Sequence, residues 1–150
     1  MKRLTRRLFS AGLASLTLAF PVLLQAGQVL EVENGYVRGL PPGTQNTAAY
    51  MTLRNRGDVD VELVAAASPV AGSVMLHSTV DHGGMLHMEH LHGLVIPAGA
   101  EVVLKSGGIH LMLMQLGEMP KPGEEVALTL QFADGSTQEL RLPVRSVLDE

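Results

Sequence analysis

Apolar and polar residues alternate along short stretches of the chain after residue 26, and turn residues separate these stretches. Examples are QVLEVEN, YVRGL, NTAAYMTLRN, SVMLHSTV and IHLMLMQL. Alternation with a period of two is typical of strands that bury one face. Turn signals roughly every eight to twelve residues indicate an antiparallel sandwich or barrel. The pattern therefore predicts an all-β domain, and it contains no long segment with helical periodicity.

Glycine-rich turns predict where the chain reverses. The segment Asp81-His82-Gly83-Gly84 follows SVMLHSTV, and Asp134-Gly135 interrupts EEVALTLQFADGSTQELRLPVR. Tight hairpin turns need positive φ angles, which glycine adopts readily. We therefore predict a hairpin at each of these two turns. Gly35 and Gly107-Gly108 are predicted to end the strands that precede them.

The first 26 residues have a different character from the rest of the chain. MKRLTRR is basic, and LFSAGLASLTLAFPVLLQA is almost wholly apolar. This order is typical of an export signal, and we predict cleavage after Ala26, which leaves residues 27–150 as one domain. TRRLFS also resembles a twin-arginine signal, so both export routes stay open. The apolar run is long enough for a membrane anchor, but Gly12, Pro21 and its small final residue favour removal.

Charge and cysteine content limit the function further. Cleavage removes four of the 11 basic residues and no acidic one, leaving 7 basic and 15 acidic residues and a net charge of −8. A strongly acidic protein is poorly suited to nucleic acid or anionic membranes as partners. The chain has no cysteine, so neither a disulfide framework nor a thiolate metal site is available. These features predict a soluble exported protein.

Histidine and methionine are concentrated in two segments. HSTVDHGGMLHMEHLH, residues 77–92, holds five of the six histidines, and IHLMLM, residues 109–114, holds the sixth beside two methionines. Alternate strand residues face the same side. Two sets are therefore predicted to share a face: Met75 with His77, and His110 with Met112 and Met114. Leu111 and Leu113 are predicted to face the core.

The mixture of side chains indicates which metal the cluster would take. A single methionine on a strand is usually a core residue, and Met51, Met85 and Met119 keep that interpretation. Thioether sulfur suits Cu(I) far better than zinc, whose sites use cysteine, histidine or carboxylate. A His/Met cluster in an exported chain therefore favours a Cu(I) site. Its uncharged ligands are typical of a carrier that passes the ion on.

The spacing of these residues resembles a known family. His77 is followed by ten residues and Met88, and twenty-one residues later come His110, Leu111 and Met112. This spacing, together with YVRGLPPGTQNTAAYMTLRN and IPAGAEVVLKSGGIHLMLMQL, resembles the periplasmic copper chaperones of the PCuAC type. The resemblance covers essentially all of residues 27–150.

The resemblance implies a fold and a function. The implied fold is a cupredoxin-like, antiparallel Greek-key β-sandwich. The implied site holds one Cu(I) per chain and consists of His77, Met88, His110 and Met112. The implied role is copper delivery to the copper-site subunit of cytochrome c oxidase, beside Sco-type proteins. No enzymatic activity, nucleic-acid partner or membrane insertion after signal removal is expected.

Several alternatives stay open or are disfavoured at this point. His90 and His92 add candidate ligands for an accessory Cu(II) or zinc site, with His82 and His87 as further candidates. A copper or zinc buffer without a delivery target shares the same site chemistry. A cupin enzyme is disfavoured, because Ile96, Pro97 and Val102 stand where that motif requires ligands. A cupredoxin electron carrier would need a cysteine thiolate.

Overall fold

Ten strands and one short 3₁₀ helix make up the part of the chain that the computed structural model describes, residues 30–149. The strands are β1 (Leu30–Gly39), β2 (Thr47–Asn55), β3 (Val61–Ala67), β4 (Ala71–His82), β5 (Met85–His90), β6 (Leu94–Ile96), β7 (Glu101–Leu104), β8 (Ile109–Leu116), β9 (Glu125–Phe132) and β10 (Thr137–Ser146). The 3₁₀ helix is Val147–Asp149. The predicted export signal, residues 1–26, lies outside the described residues. Within residues 30–149, no helix is long and apolar enough to cross a membrane.

Seven strands close into a ring. The order is β4-β8-β2-β1-β10-β9-β3, and Ala66 of β3 pairs with Val74 of β4 to complete it. β5 extends the sheet beyond β4, while β6 pairs with β3 and β7 pairs with β2. The all-β prediction is confirmed. One pairing departs from antiparallel geometry, because β1 and β10 run parallel, with Val37 opposite Val144.

The inward faces of the ring form the core. Leu111 and Leu113 are 1% and 0% exposed, as the alternation of β8 predicts. Met51 and Met119 are also buried, which confirms their interpretation as core residues. Met85 is 67% exposed, so the same interpretation is wrong for Met85. Burying one large apolar side chain contributes roughly 1.5–3 kcal/mol, so this core supplies most of the stabilising free energy.

Two strand boundaries differ from the prediction. β1 runs through Gly35 without ending, and its register with β2 shifts between Glu33 and Tyr36. Asn34 has φ of 54° at this bulge, and a Cβ on Gly35 would lie 2.6 Å from Leu142 Cδ2. Gly35 therefore lies in a closely packed part of β1 and not at a turn. The segment before Gly107-Gly108 also contains two strands, β6 and β7, instead of one.

Both predicted hairpins are present. Gly83 and Gly84 have φ of 70° and 95° and join β4 to β5, with His82 opposite Met85. Gly135 has φ of 83° in the turn between β9 and β10. The first hairpin fixes how β5 lies against β4, and it therefore decides which side chains of the two strands meet.

Candidate metal site

The sheet register gathers the predicted ligands on one face. β4 lies between β8 and β5, and residues directly opposite one another in such a sheet project to the same side. The opposed pairs are His77 with His110, His77 with His90, Thr79 with Met88, and Met75 with Met112. This face points away from the core, because Leu76 and Leu111 occupy the opposite face of the same strands.

A cavity of about 220 Å³ opens on this outer face. Its lining includes Met88, His110 and Met112, which are three of the four residues in the spacing signature. The ring of His77 lies beside the cavity, with its centroid 5.9 Å from that of His110. The structure thus brings side chains that are up to 35 positions apart in the sequence to one place.

His110 is held in a single orientation. The side chain is 5% exposed, and its Nδ1 lies 3.0 Å from the carbonyl oxygen of Gly108. Because a carbonyl oxygen only accepts, Nδ1 carries the proton and donates the hydrogen bond. In the neutral ring, Nε2 is then the nitrogen without a proton. Ligand histidines in metal sites are usually oriented in this way, with the second ring nitrogen bonded to the protein.

The surroundings of His77 favour its neutral form. Its Nδ1 is buried and has no hydrogen-bond partner among the described residues. Burial lowers the pKa of His77, and His110 and His90 lower it further. The imidazole therefore stays unprotonated to lower pH than an exposed histidine. Since a metal binds only the unprotonated nitrogen, this shift reduces competition from protons.

The two methionines have different surroundings. Met112 is half-buried on β8, whereas Met88 on β5 is 64% exposed. Two imidazoles and two thioethers are a soft, uncharged donor set, which fits Cu(I). Within residues 30–149, no group of three or more histidine, aspartate or glutamate side chains is placed to hold a metal ion.

The additional histidines divide between the two faces of the β4–β5 hairpin. The ring centroids of His90 and His92 are 4.9 Å apart, and His90 lies 5.9 Å from His77. His87 is opposite Val80, so His82 and His87 project to the other face, with centroids 5.5 Å apart. The four extra histidines therefore do not form one cluster.

Two residues that the sequence did not single out as site residues line the cavity on the outer face. The guanidinium carbon of Arg38 lies 5.0 Å from the centre of the Tyr50 ring, which is 6.4 Å from the His110 ring. Arg38 and Tyr50 both line the cavity. The alternation in NTAAYMTLRN was a usable signal, because it places Tyr50 on the face opposite the core residues Ala49 and Met51.

Comparison with known proteins places the chain in a family. The family model described as "Putative lipoprotein LpqE-like" matches residues 30–144. A relative from Leifsonia xyli subsp. xyli (strain CTCB07), named "Putative lipoprotein Lxx21020", is 36% identical over 117 residues. That alignment covers 77% of this chain and 69% of the relative.

Solved structures share the fold of this chain. The solution structure of CuI-DR1885 from Deinococcus radiodurans is 41% identical, has a TM-score of 0.65 and covers 81% of each chain. The copper-bound PCuAC domain from PmoF2 has a TM-score of 0.67 at 20% identity, covers 79% of this chain and 93% of that domain, and shows the fold alone. The cupredoxin-like β-sandwich is thereby confirmed. The chain therefore belongs to the LpqE-like family, and its fold is that of the PCuAC domain.

Proposed function

We propose that this protein binds one Cu(I) per chain through His77, Met88, His110 and Met112 and acts as an exported copper chaperone of the periplasm. The observation that carries the proposal is the cavity that Met88, His110 and Met112 line together, with the His77 ring beside it. The relationship to CuI-DR1885, a copper-bound protein by its name, supports the choice of metal.

The character of the site favours a carrier over a permanent cofactor site or an enzyme. All four donors are uncharged when the histidines are neutral, so the ion is held without a strong ionic attraction. Met88 is 64% exposed, which leaves one ligand within reach of another protein. Two thioethers favour Cu(I) over Cu(II). A redox cycle at this site is therefore not expected.

For the recipient, we propose the copper centre of a respiratory oxidase, reached beside Sco-type proteins. The resemblance of the spacing signature to the PCuAC chaperones supports this recipient. A periplasmic copper or zinc buffer would use the same residues and is the second candidate. The exposed Met88 favours delivery, because a buffer gains nothing from presenting a ligand to a partner.

X-ray absorption on the Cu(I)-loaded mature protein tests the site. Mixed nitrogen and sulfur ligation is expected, with one copper per chain. A shell made only of nitrogen would refute the assignment. Competition titration against a Cu(I) chelator gives the affinity for wild type and for variants. His110→Ala is expected to lower this affinity, and circular dichroism checks that the variant remains folded.

The second thioether ligand beside Met112 could come from Met88 or from Met75, and a pair of variants separates the two. Met75 lies directly opposite Met112 on the same face and is 38% exposed. Met88 shares the cavity with Met112. We therefore expect Met88→Leu to lower Cu(I) affinity and Met75→Leu to leave it unchanged. The reverse result would assign the fourth ligand to Met75.

Deletion of the gene in its host separates delivery from buffering. Oxidase activity is measured across a range of copper concentrations. Loss of activity at low copper, restored by added copper, supports delivery. Normal oxidase activity with increased sensitivity to copper supports buffering and would overturn the delivery role.

A further inference from the structure

Four imidazole rings form a continuous row from the surface to the buried side of the site. The centroids of His92 and His90 are 4.9 Å apart, those of His90 and His77 are 5.9 Å apart, and those of His77 and His110 are 5.9 Å apart. Exposure decreases along the row. His92 and His90 are exposed, His77 is intermediate, and His110 is buried.

The positions in this row are set by the backbone. His77 on β4 has His110 opposite on β8 and His90 opposite on β5, so all three project to the same face. His92 follows the end of β5. The N–H of Leu91 donates to the carbonyl oxygen of Leu76 at 2.8 Å, which holds this segment against β4.

The ring spacing suits the passage of an ion from one imidazole to the next. Metal–imidazole bonds are about 2.0–2.1 Å long, so two rings that bind one ion have centroids roughly 5–6 Å apart. The three separations, 4.9, 5.9 and 5.9 Å, agree with this range. Each neighbouring pair in the row can therefore share one ion when side-chain rotation turns one nitrogen of each ring toward it.

We propose that His90 and His92 are transfer ligands through which Cu(I) enters and leaves the site of His77, Met88, His110 and Met112. The proposal rests on the proposed function. In each step a Cu–N bond to the next neutral imidazole forms before the previous bond breaks. Copper remains Cu(I), and no proton or electron is transferred. The ion thus keeps a ligand throughout.

The other pair of histidines on the hairpin supplies a matched control. His82 and His87 have ring centroids 5.5 Å apart, a spacing similar to that within the row. They project to the opposite face of the hairpin, where His82 Nε2 lies 3.4 Å from Glu89 Oε1. This pair does not continue to His77, so it offers no path to the site.

Stopped-flow transfer of Cu(I) from the loaded mature protein to excess bicinchoninate tests the proposal. His90→Ala/His92→Ala is expected to slow transfer about tenfold, which corresponds to a barrier increase of about 1.36 kcal/mol. A transient ligand accelerates binding and release equally, so the equilibrium affinity should stay close to that of wild type. His82→Ala/His87→Ala should transfer at the wild-type rate.

Other outcomes overturn the proposal in distinguishable ways. An unchanged transfer rate in His90→Ala/His92→Ala would show that the row is not used. A large loss of equilibrium affinity, with one nitrogen fewer in the X-ray absorption spectrum, would make His90 a resident ligand instead. Equal slowing in the control variant would indicate a general effect on the hairpin. Failure of the main site would appear separately, as wild-type affinity in His110→Ala.

Discussion

Replacing Met112 with leucine removes one sulfur from the candidate site and changes little else. Met112 is half-buried on β8, where it lies opposite Met75 on one side and Ala48 on the other. Leucine and methionine have similar volumes, so the exchange should lower the free energy of unfolding by less than about 1.5 kcal/mol. The fold should therefore persist, and any larger effect on copper reports the lost thioether.

The effect on Cu(I) affinity is measured separately from the effect on stability. Disturbing a group that only supports a metal ligand lowers affinity roughly 10–100-fold. Losing a direct ligand should cost at least about tenfold, which is about 1.4 kcal/mol of binding free energy. Competition with a Cu(I) chelator measures the affinity, and urea unfolding of the metal-free protein measures the stability.

Met114→Leu is the matched control for this experiment. Met114 lies on the same strand and the same face, two residues beyond Met112, and is opposite Ser73. The exchange removes the same atom at a position outside the proposed ligand set. Wild-type affinity in both variants, or an equal loss in both, would show that Met112 is not a ligand.

Three further predictions concern stability. The lowered pKa of His77, caused by burial and then by neighbouring histidines, means that the unfolded chain takes up a proton first. The contribution of His77 to stability is therefore complete above its unfolded pKa of about 6.5 and is lost as pH falls from that value to the lower folded pKa. The urea midpoint of wild type should accordingly decrease more on acidification than that of His77→Gln. Gly35→Ala places a methyl group against Leu142 and should lower the free energy of unfolding by about 1–3 kcal/mol. An unchanged thermal unfolding midpoint would contradict this. The side-chain amide of Asn55 donates to two carbonyl oxygens and accepts from the Gly57 N–H. Asn55→Ala should therefore lower the free energy of unfolding, measured with urea, by roughly 1–3 kcal/mol for each buried group left unpaired.

Local sequence patterns predicted much of the structure that carries the site. Alternation in IHLMLMQL gives β8 its bounds, and it separates His110 and Met112 from the core residues Leu111 and Leu113. The Gly83-Gly84 turn predicted the hairpin. With His82 opposite Met85, counting residues back along both strands places Met88 opposite Thr79, on the same face as His77.

Long-range features were beyond what these patterns contain. The parallel pairing of β1 with β10 joins residues more than 100 positions apart and depends on closure of the whole ring. The bulge at Asn34 was missed, because a glycine that follows a strand pattern also fits a strand end. Arg38 and Tyr50 line the cavity because of how β1, β2 and β8 are arranged in the sheet.

The position of β5 at the edge of the sheet has a consequence for how tightly copper is held. Among the described strands, β5 pairs with β4 alone, and all six of its residues are exposed, whereas β8 has neighbours on both sides. Segments with few buried contacts separate from a fold at low free energy, so Met88 should leave the site before His110 or Met112 moves. Part of the free energy of copper binding is then used to hold β5 against β4, which weakens the net affinity. Substitutions at Gly83 or Gly84, which close the β4–β5 hairpin, would accordingly adjust retention and release of the ion while every ligand stays the same.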